Sequence, residues 1–289
     1  MDAGKLTQIQ RYKNTIQYIH NNFKENIDIE SIEKVSFYSY RNINRIFLSL
    51  HHETIGKYVK RIRLEKAAEY IKYSDRQLSD IALEVGFSDL AAFSKAFKKK
   101  FNCSPILFRQ SNQQIEKMNR AALELDEHKL GISFQIETLP NFNMLYLQHR
   151  GDYSNIKALE KSWDLLLAYC EQQKLLTDNT IFLSEMLDDN AISDQINCRT
   201  NIAITLDQEL NFEPGGLFQL KTHSPHRYAK FIHKGQTEYL EQTYNHIFSA
   251  WMTEVRLEFA DLPILEFYIN HNEAIPSEQY ITEIYIPIE

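Results

Sequence analysis

The chain has 289 residues, 43% of them hydrophobic and 25% charged, with a net charge of −7 at neutral pH. That length suits two domains with ordinary globular cores. No apolar run approaches about 18 residues, which argues against a transmembrane helix and a membrane partner. The start, MDAGKLTQIQRYKN, lacks a hydrophobic signal core, so the expectation is a cytoplasmic protein. Cys103, Cys170 and Cys198 stand alone, without a CxxC. They predict neither a disulfide framework nor a zinc site, and no metal or cofactor is expected.

The net charge conceals a split. Residues 1–110 hold 19 Lys and Arg against 12 Asp and Glu, a net of +7, which leaves 13 against 27 for the remainder, a net of −14. A basic half can face phosphate, and an acidic half is repelled from it.

In chain order, the basic half reads as all helix. Asp28 is a candidate N-cap ahead of Ile29, Ile32 and Val35. After a tight turn, a second helix starts near Ser39 with Ile43, Ile46, Phe47 and Leu50 inward and Arg41, Asn42, Asn44 and Arg45 outward. Ile55–Tyr73 keeps helical periodicity through Val59, Ile62, Leu64, Ala67, Ala68 and Ile71, and at ~1.5 Å per residue spans roughly 28 Å. The stretch GFSDLAAFSKAFKKKFNCSP then repeats SFYSYRNINRIFLSLHHETI at an offset of 50, matching Val85 to Val35, Phe87 to Phe37, Phe97 to Phe47, Ser104 to Thr54 and Phe108 to Tyr58. Its helix stripes Phe93, Ala96, Phe97 and Phe101 on one side and Ser94, Lys95, Lys98 and Lys99 on the other. A lysine face alone is a solvated surface as readily as a polyanion contact. The charge split and the repeat favour the second reading. Two helix-turn-helix units joined by such a spacer match the ~34 Å recurrence of one DNA groove.

DIALEVGFSDLAAFSKAFKKKFNCSP resembles the signature of the AraC/XylS family of bacterial transcription regulators, over residues 8–110. The resemblance implies a sequence-specific regulator of activator type that binds double-stranded DNA and works with RNA polymerase. Its base- and phosphate-facing positions carry Arg41, Asn42, Asn44 and Arg45 in the first reading helix. In the second they carry Leu90, Ala91, Ser94 and Lys95, followed by Lys98 and Lys99. Arg and Asn pair bidentately with guanine and adenine edges. Leu90 and Ala91 either touch a thymine methyl or pack on neighbouring helices. Two departures stand out: His52 and Asn102 replace the usual glycine after each reading helix, and Ile55 replaces the usual proline that survives as Pro105.

Residues 111–130 are polar and read as a linker, and 131–289 as a second domain. Ile132, Phe134 and Ile136, then Met144–His149, alternate as strands, and Ile156–Gln172 is helical with Leu159, Trp163, Leu166 and Leu167 on one face. Strands follow near 181–187 and 199–206. YAKFIHKGQTEYLEQTYNHIFSAWM then repeats MLYLQHRGDYSNIKALEKSWDLLLAY at an offset of 84, and strands at 264–270 and 280–288 complete the second copy. The fold class expected is a tandem helix-turn-helix domain followed by an α+β domain, with a duplicated strand-helix-strands unit and an antiparallel sheet.

LQHRGDYSNI, GGLFQLKTHSPHRYAKFIHKG, LEFY and YITEIYIPI resemble the GyrI-like effector-binding family. That implies a groove for small, often lipophilic and cationic molecules, with a glutamate as charge partner. Glu266 and Glu283 are the candidates, with Tyr153, Trp163, Trp251, Tyr268 and Tyr285 as aromatic walls; the two tryptophans suit helix–sheet packing better than ligand contact. His149 and His233 end strands and suit turn hydrogen bonds better than metal. The alternative is a small-molecule hydrolase or drug-sequestering protein that carries a DNA-binding domain. The chain shows no nucleophile elbow and no phosphate loop, so a non-enzyme is expected.

Overall fold

The computed structural model describes residues 8–114, 133–153, 155–190, 192–207, 212–250, 257–271 and 274–289. These fall into two compact units, divided at Ile115–Glu116. Trp251, Ile132 and most of the linker expected at 111–130 lie outside the described residues.

The first unit is helical: α1 (Gln8–Asn22), α2 (Ile29–Ser36), α3 (Tyr40–His51), α4 (Ile55–Tyr73), α5 (Leu78–Glu84), α6 (Leu90–Phe101) and α7 (105–114). Capping residues cut these helices out of the chain. Asp28 accepts the Ser31 N–H at 2.7 Å and Asp89 the Ala92 N–H at 2.7 Å, each satisfying a donor that its helix cannot. Both α3 and α6 end left-handed, at His52 (φ 56°) and Asn102 (φ 58°), so the conformation usually given to glycine survives both replacements.

Ile19, Ile32, Ile43, Phe47, Ile55, Tyr58, Val59 and Ile62 form the core under the first copy. Leu50, expected to face inward, is 56% exposed, and Ile29 is exposed as well. The α3 stripe therefore narrows to Ile43 and Phe47, with Ile46 half-buried.

The two copies are tied through α4. The Arg63 guanidinium donates to Phe23 O (2.6 Å) and Glu25 O (2.6 Å) in the first copy and to Gly86 O (2.7 Å) in the second. Arg61 bridges Glu53 and Glu65, and Lys100 of α6 reaches Glu65 at 3.0 Å.

The second unit is one antiparallel sheet backed by two helices. Its elements are β1 (Gln135–Leu139), β2 (Phe142–Arg150), α8 (Ile156–Gln172), β3 (Phe182–Met186), β4 (Arg199–Leu206), β5 (Phe218–His223), β6 (His226–Lys234), α9 (Leu240–Ala250), β7 (Ile264–Tyr268) and β8 (Ile281–Pro287). Sequence periodicity misses β5, an edge strand whose burial does not alternate cleanly.

The strand order is β1-β6-β8-β7-β3-β4-β2-β5. Exchanging β1–β4 for β5–β8 reverses it onto itself, so the duplication is a pseudo-twofold. Two residues, Pro140 and Asn141, join β1 to β2, although these strands lie near opposite ends of the order. The sheet must therefore curl until its ends meet.

The curl creates two different faces. The outer face packs on the helices: Leu166 and Cys170 of α8 against Leu145, Leu147, Ile202 and Ile204, and Ile247 of α9 against Ala229, Phe231, Ile284 and Ile286. The inner face encloses Met144, Leu183, Ala203, Tyr228, Leu265, Phe267 and Tyr285.

Candidate functional site

In the first unit, α3 and α6 present different chemistry. Arg41, Asn42 and Arg45 are exposed on α3. Asn44 is half-buried, and its Oδ1 accepts the Ile55 N–H at 2.9 Å. On α6, Leu90 (43% exposed), Ala91, Lys95, Lys98 and Lys99 face solvent and Ser94 is half-buried. Leu90 and Ala91 are therefore not consumed by packing on neighbouring helices.

In the second unit, Glu266 lies on the pseudo-twofold axis. The central strands correspond at an offset of 82, Leu183 to Leu265 and Ala203 to Tyr285, as their equivalent registers on β4 and β8 show. The equivalent of Ser184 is then Glu266, and these two pair directly across β3 and β7. A residue paired with its own equivalent must sit at the axis. Glu266 shares the helix-side face with Ile264, which packs in the α9 cluster.

Glu266 is 5% exposed. Its Oε1 accepts from Tyr244 of α9 at 2.6 Å, and its Oε2 lies 2.9 Å from the Tyr268 hydroxyl. That hydroxyl is also 2.9 Å from Ser184 Oγ. With one proton to give, Tyr268 donates to the carboxylate and accepts from Ser184. The Trp163 ring of α8 stands edge-on to Tyr268 at 5.8 Å. Tyr153 donates to Arg199 O at 2.6 Å, so its hydroxyl is committed to backbone.

Among the described residues no lysine or arginine pairs with Glu266. Burial raises its pKa, against the two tyrosine hydrogen bonds and the nearby His233. Burial and the Glu266 charge push Tyr244 and Tyr268 well above the usual phenol range, so both keep their protons and act as donors.

Glu283 is elsewhere. It pairs with Phe267 across β7 and β8, which places it on the inner face, opposite to Glu266. Lys230 neutralises it at 2.7 Å and reaches Glu137 at 3.3 Å, while the Tyr285 hydroxyl contacts both carboxylates. The expected ligand set thus divides into two groups. Glu266, Tyr268 and Trp163 come together beneath the helices, and Glu283 and Tyr285 belong to a paired inner cluster.

Two participants escape sequence reasoning. Tyr244 adds a polar tip to the apolar face formed with Leu240, Ile247 and Phe248, and that mismatch is its only signal. Glu185, 2% exposed on the inner face, is held by Asn201 at 2.6 Å and by Lys221. His149 and His233 meet helix hydroxyls, Ser162 at 2.9 Å and Thr243 at 2.7 Å. No group of three or more His, Cys, Asp or Glu able to hold a metal occurs among the described residues.

A basic tandem helix-turn-helix unit followed by a duplicated, curled sheet with a buried axial carboxylate defines a two-domain regulator class. The second unit matches the GyrI-like small molecule binding domain over residues 133–289, and the first matches a helix-turn-helix domain over 34–111. The chain belongs to the GyrI-like family, and its helical unit makes it an AraC-type DNA-binding transcription regulator.

Its relatives include PqrA of Proteus vulgaris, named a probable transcription factor, at 41% identity over 30% of this chain and 71% of that protein. Another is the regulatory protein SoxS of Escherichia coli (strain K12), at 30% identity over 32% of this chain and 88% of SoxS. YkgA of the same strain is 37% identical over 32% of this chain, and the match spans only 39% of YkgA. EcmrR in its DNA complex is similar in structure at 15% identity and a TM-score of 0.45, over 68% of this chain and 76% of that one.

Proposed function

We propose that this protein regulates transcription in response to a lipophilic cation bound at Glu266. The observation that carries the proposal is a buried carboxylate at the pseudo-twofold axis, held by two phenols and paired with no lysine or arginine among the described residues. A buried charge without a counter-ion is costly, and a cationic ligand supplies the missing partner. The Tyr244, Tyr268 and Trp163 rings add cation–π attraction of ~0.5–2 kcal/mol each. Glu283, neutralised by Lys230, has no such need. Tyrosines that hold their protons donate to charge rather than activate water, which favours a binding site over a hydrolytic one.

The DNA side of the proposal rests on Arg41, Asn42, Asn44 and Arg45 of α3 for base reading. Leu90, Ala91, Ser94, Lys95, Lys98 and Lys99 of α6 serve apolar and phosphate contacts. RNA polymerase is the partner through which occupancy becomes activation. The domains assigned are 1–110 for DNA and 131–289 for the effector.

Tetraphenylphosphonium is a suitable probe, because it offers charge and aromatic surface without hydrogen-bond donors. Titrating it into the full chain tests the site. Saturable binding that competes with other lipophilic cations is expected, and no binding at millimolar concentration overturns the reading.

Arg45→Ala should weaken specific DNA binding by about 1–3 kcal/mol and relax preference at one base pair, if the contact is bidentate to guanine. Equal losses on specific and random duplexes would reassign Arg45 as a phosphate anchor. Either way, neutralising about six phosphates gives a slope of log K on log salt near −5.

Cation affinity should also depend on pH. Binding favours ionised Glu266, whose pKa is raised. Affinity should therefore rise about tenfold per pH unit up to that raised pKa and level off above it. Calorimetric titration from pH 4 upward checks this, and an affinity that rises nowhere above the ordinary glutamate value of 4.5 contradicts it.

A further inference from the structure

Asn44 occupies a base-facing position of the first reading helix, and the replacement of a proline elsewhere changes what it can do there. Helix α4 opens at Ile55, after the N-cap Thr54. The first backbone N–H groups of a helix have no partner within it. Proline at that first position removes the problem together with the N–H, and the second copy has Pro105 there. The first copy has Ile55, whose N–H is accepted by Asn44 Oδ1 at 2.9 Å. The position equivalent to Asn44 in the second copy is Ser94, and Pro105 has no N–H to offer it.

The chemistry of this bond sets the orientation of the carboxamide. A backbone N–H pairs only with the oxygen, so Oδ1 is turned inward and Nδ2 is left for any outside contact. Recognition of adenine by asparagine needs both atoms at once, oxygen accepting from N6 and nitrogen donating to N7. Guanine N7 and O6 and thymine O4 need only a donor.

We infer that Asn44 reads DNA as a donor alone, which directs its base pair to guanine or thymine and away from adenine. The inference rests on the DNA-reading role of α3 proposed above. Arg41 and Arg45, also donors without acceptors, share that bias, and Asn42 alone on this face keeps a free choice of bidentate contact.

The test is selection by the full chain from duplexes randomised over about two helical turns, followed by sequencing. Asn44→Ala locates the column that depends on this side chain. In the wild type that column is expected to carry guanine or thymine. Ile55→Pro removes the N–H, restores the arrangement of the second copy and frees Oδ1, so the column should move to adenine by about tenfold. Asn44→Asp keeps the Ile55 N–H satisfied and offers no donor. It should erase the column while leaving the unfolding midpoint of the chain unchanged.

An adenine column in the wild type overturns the inference, as does a guanine or thymine column that Asn44→Asp retains. If Ile55→Pro folds and leaves the column unmoved, the inference also falls. If the wild type selects no sequence while still binding DNA, the base-reading role itself fails, and that result is distinct from a column of the wrong base.

Discussion

Glu266→Gln is expected to lower the affinity for tetraphenylphosphonium by about 100-fold, close to 3 kcal/mol. Removing one partner of a buried, hydrogen-bonded charge pair costs about 2–5 kcal/mol, and glutamine keeps the shape of the site while deleting its charge. The same variant should be less sensitive to pH. The ordinary glutamate pKa is 4.5, and burial raises it in the folded protein. Well below 4.5 the group is protonated in both states, and its contribution to stability is fully present and independent of pH. As pH rises, the unfolded chain ionises first, so stability falls until the folded pKa is passed. In the wild type the melting temperature should therefore carry a falling component across that window, and Glu266→Gln should remove it. Equal cation affinity in the two proteins would move the site away from the axis. Glu283→Gln is the control: its carboxylate is already paired with Lys230, and cation affinity should change by less than about threefold.

The second large effect concerns the helical unit. Gly86→Ala is expected to destabilise it by about 4 kcal/mol. Gly86 has φ +86°, a conformation that side-chain-bearing residues adopt only with strain, on the order of 1–3 kcal/mol. A methyl there would lie 2.5 Å from Lys24 O and 2.8 Å from Arg63 Cζ. The first of these is backbone and cannot step aside, and overpacking adds a further ~1–3 kcal/mol. The second displaces the guanidinium that ties the two helix-turn-helix copies together. Loss of DNA binding should accompany the loss of stability. Urea unfolding followed by helical circular dichroism gives the measurement. A midpoint within error of the wild type would show that the Arg63 junction tolerates rearrangement.

Much of this architecture was legible in the residues, for identifiable reasons. The helix Ile156–Gln172 stands where its apolar periodicity places it. Both duplications were visible because equivalent positions carry the same packing residue, as with Phe47 and Phe97, or the same hydrogen-bonding residue, as with His149 and His233. What was not legible depends on distant pairing. Alternation along ILEFY shows that Glu266 and Phe267 face opposite ways, but not which face the helices cover. Only the β7–β8 register separates Glu266 from Glu283. The bond from Ile55 to Asn44 joins positions 11 residues apart, and it exists because a proline is absent. An edge strand such as β5, exposed through three consecutive residues, leaves no alternation to detect.

The measurement that tests the account most directly is the affinity of the full chain for its selected operator, with and without saturating tetraphenylphosphonium, for the wild type and Glu266→Gln. An effector coupled to DNA binding by a typical ~1–3 kcal/mol shifts affinity about 5- to 150-fold. Such a shift is expected in the wild type and none in Glu266→Gln, with both proteins binding the operator equally in the absence of the cation. A wild type that binds the cation at Glu266 yet holds its operator with unchanged affinity, and transcribes from it unchanged, would contradict the account.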